Sequence, residues 1–234
     1  MRANYEGAKE RGLLEHACIY GADEAKSRLF DAIQAGVGGI KAIFPGVPLV
    51  TTARDRKYGI NSALSCMDWF VFGAQFDCYN PQKAKASRLK GHQVWWYGDP
   101  EAPHANLLVE TDAVDFRLLM GAMAQKMRTD GYLYYQIAAW GGNRCIESGP
   151  YTSWNPNSYF GLNGNGSWVC CGPGGTPLAT IRLENFRDGL EDYAYAKILE
   201  RRLAAHAGKD DDWCRKARML LDVPPELVES LTRF

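Results

Sequence analysis

Five apolar runs of strand length recur along the chain, and they limit the architectures open to it more than any other feature. They are Leu14 to Tyr20, Pro48 to Ala53, Met67 to Phe72, Gln93 to Tyr97 and Tyr132 to Trp140. Helical patterns lie between them at Glu24 to Ala35, Gln82 to Leu89 and Val114 to Arg128, the last with Val114, Leu118, Leu119, Ala122 and Met123 on one face. Strands that alternate with helices predict an α/β fold of repeated βα units. A right-handed crossover in each unit makes the strands parallel and gathers their C-terminal ends on one edge, where α/β folds carry their reactive groups.

Those strand ends hold Tyr20-Gly21-Ala22-Asp23-Glu24, Thr51-Thr52, Trp69 to Gln75, Trp95-Trp96-Tyr97 and Ala139-Trp140. The stretch from Gly141 to Gly175 is rich in Gly, Asn, Pro and Ser and reads as a long loop or short hairpin. Leu183 to Ala207, Asp210 to Leu221 and Pro225 to Leu231 read as three further helices forming a cap. No linker, repeat or low-complexity tract interrupts the pattern, so residues 1–234 are expected to form a single region.

Composition excludes several classes of function. The 27 Lys and Arg balance 27 Asp and Glu, leaving no net field to hold a polyanion, so no nucleic-acid partner is expected. No apolar run approaches the roughly 20 residues needed to span a bilayer, and Met1-Arg2-Ala3-Asn4 leads into a charged stretch, not a signal core. Membrane association is therefore not expected, and the sequence assigns no localisation. Seven scattered cysteines with no C-x-x-C pair read most simply as reduced thiols, the neighbouring Cys170 and Cys171 included. His16, His92, His104 and His206 show no metal-ligand spacing, and no nucleophile elbow or phosphate-binding loop occurs. No metal and no cofactor are expected.

Asp23 and Glu24 follow a strand directly, so both carboxylates emerge at its C-terminal end. Position alone leaves two readings open: a helix N-cap followed by a dipole-stabilised glutamate, or a pair of reacting carboxylates. Aromatic density favours a sugar ligand, whose apolar C–H faces suit flat walls and whose hydroxyls suit carboxylates. Trp69, Trp95, Trp96, Tyr97, Tyr134, Tyr135 and Trp140 are candidates for such walls, although alternate strand residues point to opposite faces and about half must serve the core.

Four stretches resemble a known family. They are Tyr20 to Glu24; Trp95-Trp96-Tyr97 through Pro103-His104-Ala105-Asn106 to Asp115-Phe116-Arg117-Leu118-Leu119; Asp130-Gly131-Tyr132-Leu133-Tyr134-Tyr135 through Trp140; and Ile181 to Tyr195, the most specific. In order and spacing they are similar to the catalytic region, also called DUF4091, of glycoside hydrolase family 123. The family usually has proline after its Asp-Glu pair, where Ala25 stands here, and an acidic turn where Asn163-Gly164-Asn165-Gly166 stands.

The resemblance implies the C-terminal portion of a (β/α)8 barrel, about five βα units followed by a helical cap, without the earlier barrel strands and the N-terminal β-rich domain. It also implies a β-N-acetylgalactosaminidase of retaining type acting by substrate-assisted catalysis. Glu24 would be the general acid and base, and Asp23 would hold the acetamido group and stabilise the oxazolinium-like intermediate. Tyr97, Trp140, Trp96, Asn106 and Trp69 would shape the sugar pocket. The partner is an N-acetylhexosaminide, with self-association or a partner chain as the means of completing the barrel. A catalytically incomplete fragment that binds carbohydrate without turning it over is the alternative, and an unstable product with no function is a third. Arg187, Asp188, Glu191 and Asp192 are read as scaffold on the last long helix.

Overall fold

A computed structural model describes residues 1–73, 79–98, 112–140, 142–148, 154–158 and 161–229. The chain groups into two compact units, Met1–Tyr97 with Thr129–Leu133, and Gly98–Arg128 with Tyr134–Phe234.

The first unit is built on five parallel strands: β1 (Ile19–Tyr20), β2 (Leu49–Thr51), β3 (Trp69–Gly73), β4 (Gln93–Tyr97) and β5 (Gly131–Leu133). They lie side by side in chain order. A doubly wound sheet would reverse that order at some point; an unbroken sequential run of parallel strands is the arrangement of a (β/α) barrel wall. Helix α1 (Arg2–Glu10) precedes the sheet, α2 (Phe30–Ile43) follows β1, and α3 (Pro81–Arg88) follows β3.

Strand register sorts the side chains into two faces. Tyr20, Val50, Trp69 and Gln93 align in one row, and Val71, Trp95 and Gly131, then Gly73, Tyr97 and Leu133, extend the same face. The opposite face carries Leu49, Phe70, Phe72, Val94 and Trp96, all buried. Trp95 stacks on Trp69 with ring centroids 4.9 Å apart. This close layer needs a glycine at 131, where a Cβ would come within 2.4 Å of the Trp95 ring.

Carboxylate contacts lock the strand starts. Asp68 accepts from the Leu49 amide at 2.8 Å and from Lys41 of α2 at 3.0 Å. Asp130 accepts from the Val94 amide at 2.8 Å and from Arg88 of α3 at 2.7 Å. Asn80 caps α3 by accepting the Lys83 amide, with Pro81 at the first helical position.

In the second unit, α4 (Asp115–Leu118), a π-helical turn (Leu119–Met123) and α5 (Ala124–Met127) run on continuously, and α6 (Ile181–Ala204) packs along them. Gly189 permits the contact, since a Cβ there would lie 2.5 Å from the Arg117 carbonyl. Arg117 grips Asp192 with two hydrogen bonds of 2.6 and 2.9 Å, and Glu200 meets Gln125, Lys197 and Arg128. Trp168 fills the space among Phe116, Tyr134 and Phe186. An antiparallel hairpin, β6 (Val169–Cys171) with β7 (Pro177–Ala179), precedes α6, and α7 (Asp212–Leu221) and α8 (Glu226–Glu229) follow it. Among the described residues, no helix is long and apolar enough to cross a membrane.

Four expectations need correction. The apolar run from Leu14 to Tyr20 is strand only at Ile19–Tyr20, because Leu14–His16 forms a 3-10 turn. Helix does not begin at Glu24: a 3-10 turn at Ser27–Leu29 comes first, and α2 starts at Phe30. Glu24 has φ 43, a left-handed value that cannot open an α-helix. The run from Tyr132 to Trp140 is not one strand, because β5 ends at Leu133, after which Tyr134 hydrogen-bonds Asn165 and Ala138 pairs antiparallel with Ser167 in the second unit. Cysteines are not all reduced, since Cys145 and Cys171 form a disulfide across 26 residues, while Cys18, Cys66, Cys170 and Cys214 are free.

Candidate active site

The segment after β1 turns sharply. Gly21 still donates to the Val50 carbonyl in sheet fashion, at 3.0 Å. Ala22 and Glu24 then adopt left-handed backbone with φ 58 and 43, on either side of Asp23. Non-glycine residues in that region cost about 1 kcal/mol or more each, and surrounding contacts must hold them there.

Two consecutive threonines at the end of β2 supply those contacts. Thr51 donates to the Ala22 carbonyl at 3.0 Å. Thr52 accepts the Glu24 amide at 2.9 Å and donates to Asp23 Oδ1 at 2.6 Å. Arg54 closes the clamp by donating its amide to the Ala25 carbonyl at 3.0 Å. Beyond it, Asp55 caps its own loop by accepting the amides of Lys57 and Gly59.

Side chains complete the arrangement. The Tyr20 hydroxyl donates to Asp23 Oδ1 at 2.5 Å and lies 2.9 Å from Thr52 Oγ1. Among the described residues no hydrogen bond reaches Asp23 Oδ2, so this oxygen of an exposed residue is open to a ligand. Glu24 is held at both oxygens: Tyr97 donates to Oε1 at 3.1 Å and Arg54 to Oε2 at 3.2 Å. Its side chain is 48% exposed, so solvent and substrate can reach it.

The electrostatics follow from these contacts. Hydrogen bonds from Thr52 and then Tyr20 hold the Asp23 carboxyl below the usual range, which keeps it anionic. Burial, followed by donation to Asp23, pushes the Tyr20 phenol up to about 12. Asp23 is thus a fixed anion with one oxygen anchored, adjacent to a second carboxyl whose plane is set by two donors.

The sequence-derived residues divide as follows. Asp23, Glu24 and Tyr97 meet in the first unit, on the sheet edge where β1 and β4 end. Trp69 lies on the same face of the sheet as Tyr97, part-buried and stacked on Trp95. Trp96 is on the other face, fully buried and edge-on to Tyr132. Trp140 belongs to the second unit, where its indole donates to the Val169 carbonyl and meets Trp154 edge-on. Asn106 lies outside the described residues. Tyr20, Thr52 and Arg54 join the site without a role assigned to them from sequence. Strand-end position marked Tyr20 and Thr52 as noteworthy, whereas nothing local to Arg54 announces its bond to a residue 30 positions earlier.

Comparison with known proteins agrees with this architecture. Residues 5–199 match the family described as Glycoside hydrolase 123, catalytic domain. Among solved structures the chain is similar to that reported under "The details of glycolipid glycan hydrolysis by the structural analysis of a family 123 glycoside hydrolase from Clostridium perfringens", with a TM-score of 0.67 and 16% identity. The similarity covers 94% of this chain and 36% of that one, so the chain spans little more than a third of its length. No curated protein matches the chain significantly.

Proposed function

Because this chain belongs to glycoside hydrolase family 123, we propose that it releases terminal β-linked N-acetylgalactosamine from a glycan by substrate-assisted catalysis, with retention of configuration. The observation that carries this reading is the clamped Asp23-Glu24 pair, one carboxyl anchored as an anion and the other oriented by Tyr97 and Arg54.

The chemistry assigns each group one task. The carbonyl oxygen of the substrate's 2-acetamido group attacks the anomeric carbon as the glycosidic C–O bond breaks, and Glu24 delivers its proton to the departing oxygen. Asp23 accepts the acetamido N–H through Oδ2 and balances the positive charge on the resulting oxazolinium, a role suited to a pre-fixed anion. Glu24, now a carboxylate, takes a proton from water as that water opens the five-membered ring and restores the acetamido group. No enzyme nucleophile is required. Tyr97, Trp69 and Trp95 offer the aromatic surface for the sugar face.

A second reading, carbohydrate binding without turnover, draws support from the sheet of five parallel strands among the described residues, where a closed barrel has eight. Release of p-nitrophenol from its 2-acetamido-2-deoxy-β-galactoside, with the gluco isomer and the plain β-galactoside as controls, separates the two. Turnover confined to acetamido sugars upholds the proposal. Binding of N-acetylgalactosamine by a folded chain that releases nothing replaces it with the second reading.

A further inference from the structure

The hydroxyl of Thr52 stands between the two carboxylate residues in a way that their own chemistry does not explain. Thr52 as a residue is 5% exposed, and its hydroxyl carries one proton and two lone pairs. The proton goes to Asp23 Oδ1 at 2.6 Å, and one lone pair takes the Glu24 amide at 2.9 Å. Tyr20 sends its own proton to the same Asp23 oxygen, so its 2.9 Å approach to Thr52 closes a triangle of three oxygens around two protons. Asp23 Oδ1 therefore receives both protons, one on each of its lone pairs. A single hydroxyl thereby fixes the side chain of Asp23 and the left-handed main chain of Glu24 at once.

We propose that Thr52 is a positioning residue of this site, setting Asp23 and Glu24 in a common register through its hydroxyl. The inference rests on the hydrolase reading for its effect on turnover, but its physical content is the Thr52 to Asp23 bond. It predicts that the hydroxyl, and not the bulk of the side chain, is what the site needs.

Three variants of the 234-residue chain decide this. Thr52→Ser keeps the hydroxyl, Thr52→Val keeps the shape, and Thr52→Ala removes the hydroxyl without adding a methyl group where the oxygen stood. Each is assayed for kcat and KM on the p-nitrophenyl acetamido glycoside, and the Asp23 carboxyl is titrated by carbon-13 NMR. Thr52→Val and Thr52→Ala are expected to lose kcat by about 10²-fold, with Thr52→Ser within about threefold of the parent, because small misplacements of reacting groups carry penalties of that size. KM should move far less than kcat, and the Asp23 titration should shift upward in the two variants without a hydroxyl. Equal losses in Thr52→Ser and Thr52→Val, or an Asp23 titration unmoved by loss of the hydroxyl, would overturn the proposal. A parent chain inactive on the acetamido glycoside sinks the hydrolase reading instead, while the Asp23 titration still judges Thr52.

Discussion

The phenolic hydroxyl of Tyr97 donates to Glu24 Oε1 at 3.1 Å, joining the end of β4 to the turn after β1 across 73 residues of sequence. Strand order makes this a meeting across three strand boundaries of one sheet, since β2 and β3 lie between them. The contact gives Glu24 a donor on the oxygen that Arg54 does not hold.

Glu24→Gln should therefore lower kcat on the p-nitrophenyl acetamido glycoside by about 10²- to 10⁴-fold, the usual loss on removing a general acid. Tyr97→Phe should cost less, about tenfold, because it removes one orienting bond and leaves the carboxyl in place. Steady-state kinetics on both variants check this; a Tyr97→Phe loss as large as that of Glu24→Gln would give the phenol a chemical role of its own.

Titration of tyrosine absorbance tests the clamp from another side. Tyr20 and Tyr134 are both pushed up to about 12 with burial as the largest cause, so two phenols should ionise late. Tyr20→Phe should remove one late component. A raised phenol pKa means the folded state retains a proton that the unfolded chain gives up near 10. This contribution to stability is complete below pH 10 and fades as the pH climbs to about 12. Asp23 behaves oppositely: its lowered pKa stabilises the fold above the ordinary carboxylate value, and the contribution disappears as acid protonates it. Denaturant melts across both ranges supply the check.

Gly131→Ala should destabilise the chain by about 1 to 3 kcal/mol, the cost of overpacking, since its Cβ would press on the Trp95 ring and disturb the stack with Trp69. A thermal melt reads the loss. An unshifted melting temperature would mean that the aromatic layer moves aside freely.

Asp192 offers a control on the last long helix. Its bidentate pair with Arg117 is partly exposed, 42% on the Asp192 side, and exposed pairs are screened by solvent and add little to stability. Asp192→Asn should lower stability slightly and leave kcat within about twofold of the parent. A large kcat loss with an unchanged melt would contradict the scaffold reading of that helix.

Much of the first unit is legible in the sequence because its signals are local. Apolar runs mark β2, β3 and β4, and β4 matches its expected span of Gln93 to Tyr97. What sequence cannot supply is parity and distance. Trp95-Trp96-Tyr97 is apolar or aromatic at every step, so no alternation tells which side faces the helices; only register with β3 and β5 assigns Trp96 to the core and Trp95 to the face of Tyr97. The same limit hides the disulfide, whose partners stand 26 residues apart, and Arg54, whose role appears only once β1 and β2 pair. The start of α2 departs from its local signals for a different reason. A helix-favouring composition after Asp23 was overridden by the Thr52 hydroxyl, which captures the Glu24 amide and bends the backbone left-handed.

Ala22 and Glu24 in left-handed backbone have a further consequence for how this protein can be engineered. A library screened for heat tolerance alone would enrich glycine at position 22, where it relieves the Cβ strain. Such winners would let the turn wander and slacken the placement of Asp23. Selection for robustness and selection for turnover therefore pull in opposite directions at this one residue, and a screen that scores both would keep the alanine.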